Sequence, residues 1–475
     1  MAVRQLVSIF AVVLVAGIAG CARYKPEPLQ SSVVLQRLQA IKLDDVLAEA
    51  SQSELAEAKS FNPADGLNAD EVAAAAIFLN PELKTKRLEL GVAAGQVIAA
   101  GQWPNPEFDG KLQRGLKNPE TAIEANLAFE VLRWQERKGE REAAQANLQA
   151  VHFGIAAEEW RVANEAQAAY WDCIGLQAKL GANRAAVEIA DLLRNSVKAR
   201  VERGKDNQFD LNLAEMDRLK LQSESLRTES ELASARRKIR ELIGLPPEAE
   251  VNLQVDGDDP TSLVRDWNLE QLTASLPESA RLRSVELQYQ VAEGELRAAI
   301  ARQFPSLKLG PAGDFAFNGN VWTSVLGSLV AFDLPFLHRN GGEILQKRAA
   351  RDLARAAYTA QLHAARAELA EAVGAARLLE KRLVFEREEL LPKANESLQL
   401  TQKAFEAGSM DAVALLKAQS SIVDAKTGYY GLLIEHRRTL QAIQRILGRR
   451  LDDAAKPSAP GPAGPENKPA QPEQR

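Results

Sequence analysis

The sequence predicts a mainly α-helical protein with a small β part, organised as two repeats, and three observations predict it. Long proline-poor stretches rich in Ala, Leu, Glu, Arg and Gln, all strong helix formers, fill most of the chain. Landmark residues recur at an offset near 200. A short run of period-two alternation precedes each helical stretch. Composition sets the outer bounds. The 475 residues are 46% hydrophobic, and 59 Lys+Arg against 64 Asp+Glu leave a formal charge of −5, with no basic footprint for nucleic acid. Two cysteines and four scattered histidines (His152, His338, His363, His436) build neither a disulfide framework nor a metal centre. A single apolar run, at the N-terminus, excludes a helical multi-span protein but not a β-barrel, whose strands signal weakly.

Residues 1–20 read as a secretory leader: Arg4, an apolar stretch from Leu6 to Ala19, then small residues. Its end, Ile18-Ala19-Gly20-Cys21, resembles a bacterial lipoprotein signal cleaved before a cysteine that takes the lipid through its thiolate. Cys21 is therefore the expected acylation site, bearing palmitate-type chains. Ala22 after it resembles lipoproteins sorted to the outer membrane. Residues 21–65 are expected to form an acylated tether and a helix, anchored without spanning anything.

Two repeats follow, at 66–250 and 251–453. Gly204 and Gly244 lie 40 residues apart, as do Gly408 and Gly448, each pair offset by 204; Ile239 and Ile443 obey the same offset. A period this long suits duplication of a half-molecule, not a solenoid. In the first repeat Leu148, Ile155, Val162, Ala169 and Leu176 recur every seven residues. They interleave with Ala166, Cys173, Leu180 and Val187 as in a coiled-coil seam. The pattern predicts a helical hairpin over about 134–244, turning at Gly204, and a second over about 340–448, turning at Gly408. Pro392 should kink or break the second. His152 is placed on the seam, and Cys173 reads as a small buried hydrophobe.

Ahead of each hairpin lie two strands, at about 104–132 and 305–335. In the first pair Ile123, Leu127 and Phe129 take one face, with Glu124, Asn126 and Glu130 on the other. In the second pair Leu307, Leu309, Trp322, Leu326, Val330 and Phe332 oppose Lys308 and Asp333, and Leu329 breaks the alternation. Half-buried soluble hairpins would show the same pattern. In an exported, acylated chain the apolar faces instead suit lipid, and sheets in hydrocarbon must close. Four strands cannot close alone. Three chains give about twelve strands and a polar lumen, so a trimeric barrel is the simplest expectation.

The motifs GLNADEVAAAAIFLNPEL (66–83), AAGQWPNPEF (99–108), AFDLPFLHRNGGEI (331–344), ELLPKANESL (389–398) and FEAGSMDAVALLKAQSSIVDAK (405–426) resemble, in their order and duplication, the TolC family of outer-membrane efflux channels. The likeness is to its lipoprotein, heavy-metal-efflux-like branch. The resemblance implies a homotrimer with a transmembrane barrel and a periplasmic helical tunnel, exporting passively what an inner-membrane pump of the proton-driven RND type delivers through a periplasmic membrane-fusion adaptor. It implies no catalysis and no cofactor. The hairpin ends would then be periplasmic tips that meet the adaptor or gate the pore: Gly204, Lys205, Leu211, Glu215, Gly408, Ser409, Met410, Asp411, Leu415 and Lys417. Lys417 stands where related channels often carry an acid, which disturbs any ring of carboxylates at the aperture. The competing reading is a lipid-anchored periplasmic coiled-coil scaffold or adhesin without a pore. Residues 454–475, with six prolines, read as a disordered tail.

Overall fold

The structure, a computed structural model, describes residues 24–41, 66–114, 120–131, 134–204, 207–254, 267–318, 321–332 and 338–451. The leader, Cys21, Lys205, Asp333 and the Pro-rich tail lie outside the described residues. Residues 1–42 form a unit of their own, in which helix α1 (Ser31–Gln39) is described. Everything below belongs to the second unit.

That unit begins with α2 (Ala69–Leu79) and α3 (Pro81–Gly101), followed by strands β1 (Glu107–Arg114) and β2 (Glu120–Val131). A 69-residue helix α4 (Trp134–Glu202) then runs out, and α5 (Gln208–Ile243) runs back. After a short α6 (Leu269–Ala274) and a 3-10 turn, the order recurs. Helix α7 (Ala280–Ala301) leads to β3 (Leu307–Asn318) and β4 (Val321–Phe332), and then to α8 (Gly341–Phe385), a π-turn (Glu386–Leu390), α9 (Leu391–Glu406) and α10 (Ala412–Leu447).

Local chemistry sets each boundary. Asn68 and Glu71 form a reciprocal capping box at the start of α2. Asn80 caps α3, with Pro81 in the first turn where no N–H is missed. Asn207 and Asp210 repeat the capping box on α5. At the two hairpin ends Gly204 (φ 72°) and Gly408 (φ 75°) adopt the left-handed conformation that a side chain would resist.

Near the sheet, α3, α4, α7 and α8 pack side by side in that order. Further out, α4 pairs with α5, α9 pairs with α10, and α10 packs along α4. The seam on α4 is real: Ile155, Val162, Ala166, Ala169, Cys173, Leu180, Ala186, Ala190, Leu193 and Val197 are all buried. Leu148, Leu176 and Val187 are only half-buried, and Ala186 takes the place of Val187, since an α-helix drifts off a strict 3.5 repeat. His152 is exposed, not on the seam as expected. It turns outward and meets Phe153 edge-on at 5.8 Å. Cys173 is 1% exposed, and burial pushes its thiol up to about 12, which suits an inert packing residue. One core cluster joins Trp267, Leu276 and Leu282 to Leu369, Val373 and Ala376 of α8 and to Leu440, Ile443 and Ile446 of α10. Pro392 does not break the helix of the second hairpin; the disturbance takes the form of a widened turn. The helix stays continuous through the π-turn that precedes it.

Candidate functional site

The four strands form one antiparallel sheet in the order β1-β2-β3-β4. Register decides which residues share a face. Phe108↔Leu127 and Leu112↔Ile123 join β1 to β2, Ile123↔Phe315 and Phe129↔Leu309 join β2 to β3, and Leu309↔Val330 and Leu307↔Phe332 join β3 to β4. Gly313↔Leu326 and Phe317↔Trp322 complete the set. Thus Ile123, Leu127, Phe129, Leu307, Leu309, Trp322, Leu326, Val330 and Phe332 stand on one face, from both repeats. This face is bare: Leu326 is 82% exposed, Leu112 74%, and Phe129 49%. The rings of Phe108 and Phe315 fold back over Gly110 and Gly313, filling gaps that those glycines leave.

The opposite face gathers Glu107, Asp109, Lys111, Glu124, Asn126, Glu130, Lys308 and Asp314, since Glu124↔Asp314 and Glu130↔Lys308 are paired. Lys308 reaches across β2 to Glu107 at 2.7 Å, over the small Ala128, and Lys111 lies 3.5 Å from Glu124. On β4 this face is less polar, carrying Thr323, Val325 and Leu329. Ladder pairing lapses between Asn126↔Ala312 and Phe129↔Leu309, where Pro311 has no N–H to give. There Gly310 lies so close to β2 that a Cβ would sit 1.6 Å from the Leu127 carbonyl oxygen.

At the other end, the structure joins some of the tip residues and separates others. Leu211 and Leu415 meet in an apolar cluster with Leu193, Val197, Ala214, Phe405 and Leu416, so the two hairpin ends are held together by packing. Arg200 lies over the Phe405 ring at 4.7 Å. Asp411 has a local task as the N-cap of α10, accepting from the Ala414 amide at 2.9 Å. Ser409 donates its hydroxyl to the Ala404 carbonyl. Glu215 is exposed and 3.9 Å from Arg194, Lys417 is exposed on α10, and Met410 is 45% exposed.

Two polar clusters have no local signature. Arg302, at the C-cap of α7, binds Glu136 (2.6 Å) and Glu140 (2.6 Å) of α4 and Glu343 (2.5 Å) of α8. Its charged form is held chiefly by the bond to Glu136. The Asn340 amide, with help from Arg302, keeps the Glu343 carboxyl below the usual carboxylate range. This hub ties both repeats together just where strands become helices. Deeper in the helical body, Glu380 and His436 are 4% and 1% exposed and lie 3.6 Å apart, and the Trp267 indole N–H donates to the same Glu380 oxygen at 2.9 Å. The ion pairs and the indole bond of these groups span 41 residues of sequence or more. Among the described residues, no group of three His, Cys, Asp or Glu side chains is placed to hold a metal ion.

A twice-used helical hairpin carrying one amphipathic four-stranded sheet is a specific architecture. The sequence model of the outer membrane efflux protein family matches residues 73–245 and 272–449. The chain belongs to the outer membrane efflux protein family. Its relatives include the cobalt-zinc-cadmium resistance protein CzcC of Cupriavidus metallidurans, 24% identical over 382 residues that cover 78% of this chain and 87% of that one. Among solved structures, the fold resembles CusC (TM-score 0.68, 17% identity, 81% of this chain and 93% of that one). It also resembles the open-state MtrE channel of Neisseria gonorrhoeae (TM-score 0.66, 15% identity, 81% and 89%) and VceC of Vibrio cholerae (TM-score 0.67, 16% identity, 80% and 96%). The fold is that of TolC-type outer-membrane channels, and as a member of this family the protein is an efflux channel of the outer membrane.

Proposed function

We propose that three copies close one twelve-stranded barrel in the outer membrane and a helical tunnel below it, forming the exit duct of a tripartite efflux system. The observation that carries this is the sheet itself. Within the described chain β1 and β4 each pair on one side only, and one face is apolar and bare. A sheet in hydrocarbon has no water for its edges, so β4 of one copy must meet β1 of the next. The outer helices carry matching stripes, Leu88, Val92 and Ile98 on α3 and Leu345 and Leu353 on α8, all more than half exposed. In this reading Ile123, Leu127, Phe129, Leu307, Leu309, Trp322, Leu326, Val330 and Phe332 face lipid. Glu124, Asn126, Glu130, Lys308 and Asp333 face the lumen.

The same reading makes the two halves, about 66–250 and 251–453, copies of one unit, acylated through Cys21. It assigns the ends near Gly204 and Gly408 to the periplasm, closed at rest, where they meet an adaptor fed by an inner-membrane pump of the RND type. The lumen face carries Glu107, Asp109, Glu124, Glu130 and Asp314 against Lys111 and Lys308, an acidic excess that attracts cations. A divalent metal cargo fits that excess, as it fits the name of the CzcC relative. The test is the purified acylated protein: a heat-modifiable oligomer on gels that conducts ions across planar bilayers, with cations favoured. A stable, water-soluble monomer after removal of Cys21 would overturn the duct and favour the scaffold.

A further inference from the structure

The two repeats align residue by residue where their helices approach the sheet. At an offset of 199, Leu83, Leu88, Val92, Gly95 and Ala99 of α3 match Leu282, Leu287, Val291, Gly294 and Ala298 of α7. At an offset of 203, α4 matches α8, with Gly139 on Gly342 and Ala146 on Ala349. Burial follows the second alignment farther along. Ala166, Tyr170, Cys173 and Leu180 are buried, and so are their counterparts Leu369, Val373, Ala376 and Leu383.

Nearer the sheet the equivalence breaks. Leu287, Gly294 and Ala298 are buried where α7 packs along α4, as are Gly139, Ala143, Ala146 and Ala150 on the α4 side. This internal joint sets backbone against backbone. A Cβ on Gly294 would lie 2.8 Å from the Ala143 nitrogen, and one on Gly139 would lie 2.7 Å from the Ala298 nitrogen. The matching positions are all exposed: Leu88, Gly95 and Ala99 on α3, and Gly342, Gln346, Ala349 and Leu353 on α8. A Cβ on Gly95 or Gly342 would meet nothing within 4 Å. Each repeat thus carries both faces of one joint, and the chain closes only the joint between α4 and α7. Helix α3 runs into β1 and α8 leaves β4, so the two bare faces continue the edge strands along which copies join in the proposed barrel.

The rims of the two joints differ in chemistry. Within the chain Arg297 donates to Glu142 at 2.9 Å, and Arg302 donates to Glu136 at 2.6 Å. The same offsets turn the first pair into Ile98 with Leu345 and the second into Trp103 with Arg339, all exposed. One ion pair is matched by an apolar pair, and the other by an arginine beside an indole. Exchanging partners between the joints carries a penalty. Helix α7 against the α8 of another copy sets Arg297 on Leu345 and Arg302 near Arg339, whereas α3 against α4 sets Ile98 on Glu142. Unpaired and like charges both cost free energy in a closed joint. Such mismatches discriminate between two partners of the same shape.

We propose that α3 of one copy docks on α8 of the next in the register of the internal joint, and that Ile98–Leu345 between copies and Arg297–Glu142 within each form a pairing code that keeps the two joints from exchanging. The inference rests on the trimer reading and adds the residues that decide which helix faces meet. Both Ile98 and Leu345 are exposed in the single chain, so their substitution leaves its core intact. The test uses the acylated protein and its heat-modifiable oligomer on gels. Ile98→Arg or Leu345→Glu alone should lower the oligomer fraction about tenfold, and the two together should restore it to within about twofold of wild type. Mild oxidation of the variant carrying Ile98→Cys and Leu345→Cys should link copies to one another. Ile98→Cys with Glu142→Cys should give no link. A double charge variant that assembles no better than the single ones, or a first cysteine pair that stays unlinked in an intact oligomer, overturns the code and its register and leaves the channel standing. A wild-type protein that remains monomeric overturns the trimer reading, and the code falls with it.

Discussion

In the helical body Leu369 is wholly covered by its own chain, whereas in the sheet Leu326 keeps 82% of its surface exposed. Both are leucines on regular elements with clean periodicity. The helices find partners within the chain, along α4 and α8, and so form an ordinary core. The sheet finds none for its apolar face within the chain, and in the proposed channel lipid takes that place. Exposure of large apolar side chains means two different things in one molecule: an ordinary remainder on the helices and an unfinished wall on the strands.

Substitutions that treat the two regions alike should expose this difference. The largest effect is expected on the apolar face of the sheet. Leu326→Arg places a charge in lipid at a cost of about 2–4 kcal/mol per copy. The heat-modifiable oligomer should disappear, whereas Ala312→Arg on the opposite face should leave it intact. If both assemble equally, the faces have been assigned the wrong way round. Next comes Gly310→Ala, which forces a Cβ against the Leu127 carbonyl and should abolish or severely reduce assembly, read on the same gels. Leu369→Ala, in the helical core, should cost about 2–5 kcal/mol through a cavity. It should lower the unfolding temperature of the helices by circular dichroism while the barrel still forms.

The smallest effects are electrostatic and have opposite signs. The Glu343 carboxyl is held low by Asn340 and Arg302, so its contribution is present at neutral pH. That contribution is lost as pH falls through the depressed value, below the usual glutamate range. Asp217 is pushed up by burial, with Asp424 adding to the rise and Lys220 opposing it. Its ionised form therefore opposes folding near neutrality. Asp217→Asn should raise the unfolding temperature slightly at pH 7, with the gain shrinking as pH falls. A gain that grows toward acid would contradict the assignment.

Much of the architecture could be read from residue order alone, because it is written in local periodicities. The seam through Val162 and Cys173, the alternation from Ile123 to Val131 and the turns at Gly204 and Gly408 each need only neighbours a few positions apart. The Arg302 hub and the Glu380–His436–Trp267 cluster did not show themselves, since each is a lone residue in sequence whose partners come from distant helices. His152 was misplaced because a seven-residue count tolerates neighbours one step off the stripe. Pro392 announced a disturbance but not its form. A helix can absorb a proline by widening one turn, and which outcome prevails depends on the packing around it.

The pairing of β2 with β3 joins segments separated by most of a repeat, Val131 facing Leu307 across the helices between them. Each outer hairpin can zip locally as it emerges, but the central seam must wait until some 175 intervening residues have found their places. During that delay two sticky ribbons travel unprotected through an aqueous compartment. The biogenesis of such a chain therefore calls for an escort that shields strands in transit, and newly made copies should be most prone to clumping in that interval.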